Sequence, residues 1–101
     1  MNLPSAWKSW SADLTWRVEF TRTAEKQIVK LDRPSRARIL GYLRQRVQPS
    51  ENPRQFGKAL HGDKQGLWRY RTGSYRIICD IQDDKATVLV LAVAHRKEVY
   101  R

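Results

Sequence analysis

The chain has 101 residues, with 20 Lys and Arg against 10 Asp and Glu, so it carries a formal net charge of +10 at pH 7. That is the length of one small domain, with material for one modest core and none for a second catalytic module. Hydrophobic residues at 41% and aromatics at 10% separate it from a basic disordered tail. A lone cysteine, Cys79, excludes an internal disulfide, and no apolar run approaches the ~18 residues of a bilayer span. The expected setting is reducing and cytoplasmic, away from membranes. The surplus cations point to nucleic acid as the first partner and an acidic protein as the second.

Residues 1–15 precede the first periodic segment, hold Trp7 and Trp10 three apart behind Ser5 as an N-cap, and read as an extension that is flexible or partly helical. Residues 16–21, WRVEFT, alternate large apolar and polar side chains with a period of two, which predicts a half-buried strand. Thr23 reads as the N-cap of a first helix over 24–31, in which Ala24, Ile28 and Leu31 share a face. Asp32 and Pro34 start a second helix over 34–48 with an apolar stripe of Ile39, Leu40, Leu43 and Val47. Its other face, with Arg36, Arg38, Arg44, Gln45 and Arg46, is expected in solvent. Residues 48–66 contain Pro49, Asn52, Pro53, Gly57, Gly62 and Gly66 and read as mostly loop, anchored by Phe56 and Leu60. Strands over 68–71, 75–82 and 85–93 follow, joined by turns at Gly73-Ser74 and Asp83-Asp84. The order β-α-α-β-β-β predicts an α+β domain over 16–101, two N-terminal helices packed on one face of a small, mainly antiparallel sheet.

A two-residue turn at Asp83-Asp84 registers the last two strands so that Ile81 faces Ala86, Cys79 faces Val88 and Ile77 faces Val90. That face is apolar and belongs under the helices, which makes Cys79 a small buried residue and not a nucleophile. Arg76 falls on the opposite face. If Arg69 and Arg71 of the preceding strand point the same way, three guanidinium groups gather there as a phosphate-binding surface; otherwise they are ordinary exposed arginines, one of them paired to Asp80.

Metal chemistry has no support in ligand spacing, and Asp63, Asp80, Asp83 and Asp84 read as turn residues and an ion-pair partner. The two histidines, His61 and His95, stand far apart in sequence. What remains is a basic cluster with a phenol: Arg76 on the sheet, then His95, Arg96, Lys97 and Tyr100 after the last strand. RNA is cleaved without a metal when its own 2′-hydroxyl attacks the adjacent phosphate, leaving a cyclic phosphate and a 5′-hydroxyl. The protein must hold the phosphate in line, stabilise its extra charge and move two protons. Arginines suit the charge, and Tyr100 or His95 suits the proton transfer.

The stretches WRVEFTRTAEKQIVKL, GKALHG, LWRYRTGSYRIICDIQDD and VAHRKEVYR resemble the RelE/ParE superfamily of type II toxin-antitoxin toxins, and within it the RelE-like mRNA interferases, over 16–101. The resemblance implies a ribosome-dependent endoribonuclease that cuts mRNA in the A site of the 70S ribosome without a metal or other cofactor. It also implies a cognate antitoxin wrapped around the toxin in a hetero-oligomer. Carried over by position, Arg76 resembles the family's phosphate-stabilising arginine, Arg96 its second catalytic arginine and Tyr100 its tyrosine of base or stacking duty. His95 stands beside Arg96 as a candidate for proton transfer. Arg69 and Arg71 occupy places where the family's basic residues are commonly lysines; arginine there suits holding RNA better than moving a proton. Lys58, in GKAL, is placed to contact RNA. The sequence stops one residue after Tyr100, a departure from relatives with a longer C-terminal helix. Two other readings share the charge pattern: a ParE-like DNA gyrase inhibitor on the same fold, and a non-catalytic RNA-binding module.

Overall fold

The computed structural model describes residues 9–10 and 16–99, with side chains over 16–97. Its elements are β1 (Ser9–Trp10), β2 (Arg17–Phe20), α1 (Arg22–Val29), α2 (Arg33–Tyr42), β3 (Lys58–Ala59), β4 (Trp68–Thr72), β5 (Tyr75–Gln82), β6 (Thr87–His95) and the single turn α3 (Arg96–Val99). The strands form one sheet in the order β1-β2-β6-β5-β4-β3, with β2 parallel to β6 and every other neighbour antiparallel. The expected α+β layering holds. Ser9–Trp10 add a short strand where the extension was expected to be flexible or helical; Trp7 and the rest of 1–15 lie outside the described residues.

The helix-covered face builds the core. Val18 and Phe20 of β2, Ile77, Cys79 and Ile81 of β5, and Val88, Val90 and Val93 of β6 pack against Ala24 and Ile28 of α1 and Ile39 of α2, with Leu43 and Val47 beyond it. Full burial of an aliphatic side chain of this size contributes about 1.5–3 kcal/mol, so this layer dominates the stability. Among the described residues no helix is long and apolar enough to cross a membrane.

The cap of α1 is Thr21 and not Thr23. Thr21 is the last extended residue, its hydroxyl accepts the Ala24 N–H at 3.2 Å, and the same hydroxyl donates to the Leu91 carbonyl of β6 at 3.0 Å. Thr23 has no such second partner and lies inside the helix, exposed. β2 pairs with β6 only as far as Val90, and α1 covers the edge that remains: Gln27 Oε1 accepts the Val93 N–H at 2.6 Å.

In α2, the Asp32 carboxylate accepts the Ser35 N–H at 3.1 Å and Pro34 sits in the first turn, as the sequence indicates. After Tyr42 the helix widens, the Gln48 N–H reaching back five residues to the Leu43 carbonyl at 2.8 Å. Arg36 was expected in solvent and is only 6% exposed. Its guanidinium donates to the Val29 and Leu31 carbonyls, so it closes the C-terminal end of α1, where carbonyls lack helical partners and a cation is favoured.

The loop after α2 is pinned by Pro53, which is buried and accepts the Tyr70 hydroxyl at 2.8 Å, and by half-buried Phe56. Gly57 permits this closeness, since a Cβ there would stand 3.0 Å from the Arg69 carbonyl oxygen and 3.2 Å from the Tyr70 ring. Leu60, expected as an anchor, is held by its backbone N–H to Leu67. β3 forms inside the segment read as loop, because β4 offers it an edge.

The β5–β6 register differs from the expected one. Residues 83–85 make a tight helical turn and Ala86 takes a left-handed conformation at φ 48°, so four residues and not two separate the paired Gln82 and Thr87. Ile81 therefore faces Val88 and Cys79 faces Val90. A shift of two preserves parity, so the apolar face survives the misregister. Beyond it a one-residue bulge at Leu91 brings Ile77 opposite Val93.

Candidate nucleic-acid interface

Two ladders gather the cations. Lys58 of β3 lies directly opposite Arg69 of β4, Arg69 opposite Ile78 of β5, and Arg71 opposite Arg76. Opposed residues of an antiparallel pair share a face, with Cβ atoms about 4.5–5.5 Å apart. Lys58, Arg69, Arg71 and Arg76 thus project from one face of the sheet, and Tyr70, Ile77 and Cys79, of the other parity, are the ones buried under the helices. Lys58 and Arg71 are exposed, whereas Arg69 and Arg76 are half-buried with their Nε atoms shielded from solvent. Ile78, 8% exposed, lies on the same face, opposite Arg69 and two residues along β5 from Arg76. Asp80, expected as an ion-pair partner on this face, instead accepts from Gln82 Nε2 at 3.1 Å.

The β4–β5 hairpin turns at Gly73-Ser74. Gly73 has φ 61° and Ser74 a negative φ, a II′ arrangement that only glycine adopts easily at its first position. The Arg38 guanidinium of α2 covers this turn, where a Cβ on Gly73 would collide with it. The Ser74 carbonyl accepts the Arg96 N–H at 2.8 Å, which ties the start of α3 to the hairpin turn, Ser74 being two residues before Arg76 in the chain. Arg96 itself is exposed.

His95 is on the other face. It pairs with Tyr75, and both share the parity of Ile77 and Val93, the helix side. The Leu91 bulge is the cause: an unbulged β6 would have turned His95 toward the face of Arg76. Its ring meets Tyr75 edge-on, with centroids 5.6 Å apart and planes at 80°, and its Nδ1 accepts the Lys97 N–H at 3.3 Å, capping α3. Tyr100 lies outside the described residues.

Cys79 is fully buried, and burial pushes its thiol far above the ordinary range, so it is no nucleophile. Among the described residues no group of three or more His, Cys, Asp or Glu converges as metal ligands would. Strand parity put Arg69 and Arg71 on one face and left open whether Arg76 shares it, which the β4–β5 register decides. It had no signal for Lys58 opposite Arg69, since a two-residue strand carries no periodicity, nor for the tie between Arg96 and Ser74.

Comparison with known proteins places the fold and the family. The family described as the ParE toxin of the type II toxin-antitoxin system parDE matches residues 18–100. Toxin RelG of Mycobacterium tuberculosis is 32% identical over 88 residues, 87% of this chain and 99% of that protein, and Toxin RelE of the same organism is 30% identical over 91 residues, 90% and 92% of the two chains. Among solved structures, the toxin-antitoxin complex RelBE2 of M. tuberculosis superposes with a TM-score of 0.72 at 32% identity, covering 78% of this chain and 95% of that one. The archaeal RelE-RelB complex from Pyrococcus horikoshii gives 0.64 at 25% identity, covering 84% and 99%. With the family matched over most of its length and two relatives at 30% identity or above, the chain belongs to the RelE/ParE superfamily of type II toxin-antitoxin toxins.

Proposed function

We propose that this toxin is a metal-independent endoribonuclease that cleaves mRNA in the A site of the ribosome. The observation that carries the reading is the row of Lys58, Arg69, Arg71 and Arg76 on the helix-free face, two like-charged pairs set directly opposite each other. A row of cations of this kind suits the regularly spaced phosphates of a polyanion. In this reading the half-buried Arg76 binds the scissile phosphate and its developing charge, where partial desolvation strengthens a guanidinium–phosphate contact. Lys58, Arg69 and Arg71 hold the flanking backbone. Arg96, fixed by its backbone to Ser74, supplies the second guanidinium.

In the reaction the 2′-hydroxyl loses its proton and its oxygen attacks the adjacent phosphorus. The P–O5′ bond breaks, a 2′,3′-cyclic phosphate forms, and the departing oxygen takes up a proton. Tyr100 is the residue assigned to proton transfer. His95, turned to the other face with Nδ1 already accepting, is the poorer choice. A site this open orients RNA weakly by itself, so the ribosome is expected to present the codon.

An antitoxin partner follows from the family and from the charge: an acidic segment covering the Arg76 face would neutralise it and block RNA. The family description also names ParE toxins, and for a gyrase inhibitor the same cations would grip a protein or DNA with no cleavage. Purified protein added to translating ribosomes, with mRNA ends mapped by primer extension and DNA supercoiling assayed in parallel, separates the two. Cuts within codons and intact supercoiling are expected.

A further inference from the structure

At the end of the sheet, on the face away from Arg76, a cavity of about 430 Å³ opens between the last turn of α1 and the Tyr75–His95 pair. Gln27, Lys30, Leu31 and Val93 complete its wall. Nothing in the reaction described above uses it. We propose that this pocket receives a nucleobase of the substrate RNA, next to the phosphate held by Arg76 and Arg96, and so acts as a specificity-determining subsite. The proposal rests on the ribonuclease reading of the cationic face.

The wall has the composition of a base site. Tyr75 and His95 meet edge-on at 5.6 Å, which leaves ring surface for a flat ligand, and stacking on such a platform accommodates any base. The His95 ring is fixed in advance by the Lys97 N–H and by Tyr75, so little freedom is lost on binding. Polar groups at the rim are donors. Gln27 spends its oxygen on the Val93 N–H at 2.6 Å, which leaves only its amide NH2, and Lys30 adds an ammonium. Among the described residues no carboxylate lines the cavity, which suits acceptor-rich edges such as the carbonyls and ring nitrogens of a base.

Chain adjacency joins this pocket to the cationic face. Tyr75 immediately precedes Arg76 in β5, where neighbours point to opposite faces, and His95 ends β6 immediately before Arg96, whose N–H is held by the Ser74 carbonyl. An RNA strand bent over the sheet end therefore meets the two arginines with its phosphates and the two rings with a base. An acidic side chain of a protein partner would satisfy Lys30 but would gain nothing from the aromatic pair.

The test uses full-length protein and fluorescein-labelled 2′-O-methyl hexanucleotides of each base, which bind but lack the attacking hydroxyl. Affinity is read by anisotropy and ring contacts by NMR. Wild type should show oligonucleotide-dependent shifts of the Tyr75 and His95 ring signals. Tyr75→Ala should lose on the order of tenfold in affinity, and Tyr75→Phe, which keeps the ring, should lose little. Lys30→Ala should alter the ranking among the four bases, which a purely structural role would not do. If Arg76→Ala weakens binding while the ring signals stay still and Tyr75→Ala binds as wild type, the pocket proposal is wrong and the cationic-face reading survives. If neither substitution matters, both fail. If an acidic antitoxin peptide moves the Tyr75 and His95 signals and RNA does not, the pocket belongs to a protein partner and the proposal is overturned.

Discussion

Arg71 of β4 stands directly opposite Arg76 of β5, two guanidinium groups on the same face of one antiparallel pair. Such like-charged opposition is unfavourable by about 0.2–1 kcal/mol. Replacing Arg71 by threonine, a good strand residue, should therefore leave urea stability unchanged or raise it by up to ~1 kcal/mol while weakening RNA binding. The logarithmic salt dependence of binding should fall by about one unit, the loss of one phosphate contact. A variant that is less stable yet binds RNA as well as wild type would place Arg71 in the structural and not the binding class.

The platform beneath those arginines depends on Tyr70, whose hydroxyl satisfies the buried Pro53 carbonyl at 2.8 Å. Burial pushes this phenol far above the ordinary tyrosine range, so it stays protonated and donating. Tyr70→Phe should destabilise the protein by about 1–3 kcal/mol in urea titrations, because the carbonyl is left without its donor. A change near zero would mean that water replaces the hydroxyl.

Arg54 ties the loop before β3 to the β5–β6 turn through paired hydrogen bonds to Asp83 at 2.9 and 2.6 Å. That guanidinium holds the Asp83 carboxyl below the usual carboxylate range, and hydrogen bonds from Ser35 do the same for Asp32. Because the folded values lie below the unfolded ones, this stabilisation is complete at neutral pH. It is lost as pH falls below about 4, through the ordinary carboxylate value toward the depressed ones. Thermal unfolding followed from pH 7 to 2.5 should show the decline. Asp83→Asn should lower the melting temperature at pH 7 and converge on wild type at the acidic end; parallel curves would contradict the pairing.

Much of this architecture is legible in the sequence, and the exceptions have physical causes. β5 is bounded as its sequence indicates, since Gly73-Ser74 and Asp83-Asp84 flank the apolar-rich run from Tyr75 to Gln82. Strand parity put Arg69 and Arg71 on one face, but whether Arg76 shares it depends on the β4–β5 register, which the alternation alone does not fix. The side of His95 was not legible: it depends on one bulged residue, Leu91, amid an apolar run in which any position would read alike. Arg36 was misjudged because its role, closing the carbonyl end of α1, depends on how two helices pack and not on its own helix. Lys58 was assigned from family resemblance, and its place opposite Arg69 is a tertiary fact.

Cys79, central in the core, should not react with a thiol reagent in the native protein at pH 8 and should react once per chain after unfolding. Cys79→Ala should keep its RNA cleavage. Loss of cleavage in a well-folded Cys79→Ala protein would reopen the question of a thiol in the chemistry.

The most direct measurement is primer extension on mRNA bound to translating ribosomes, comparing wild type with Arg76→Ala at equal amounts of folded protein. Removing a guanidinium aimed at transition-state charge should slow cleavage by about 10²–10³-fold while the melting temperature stays close to wild type. Undiminished cuts by Arg76→Ala, or uncut message alongside blocked DNA supercoiling, would contradict the assignment of the β4–β5 cationic face to RNA cleavage.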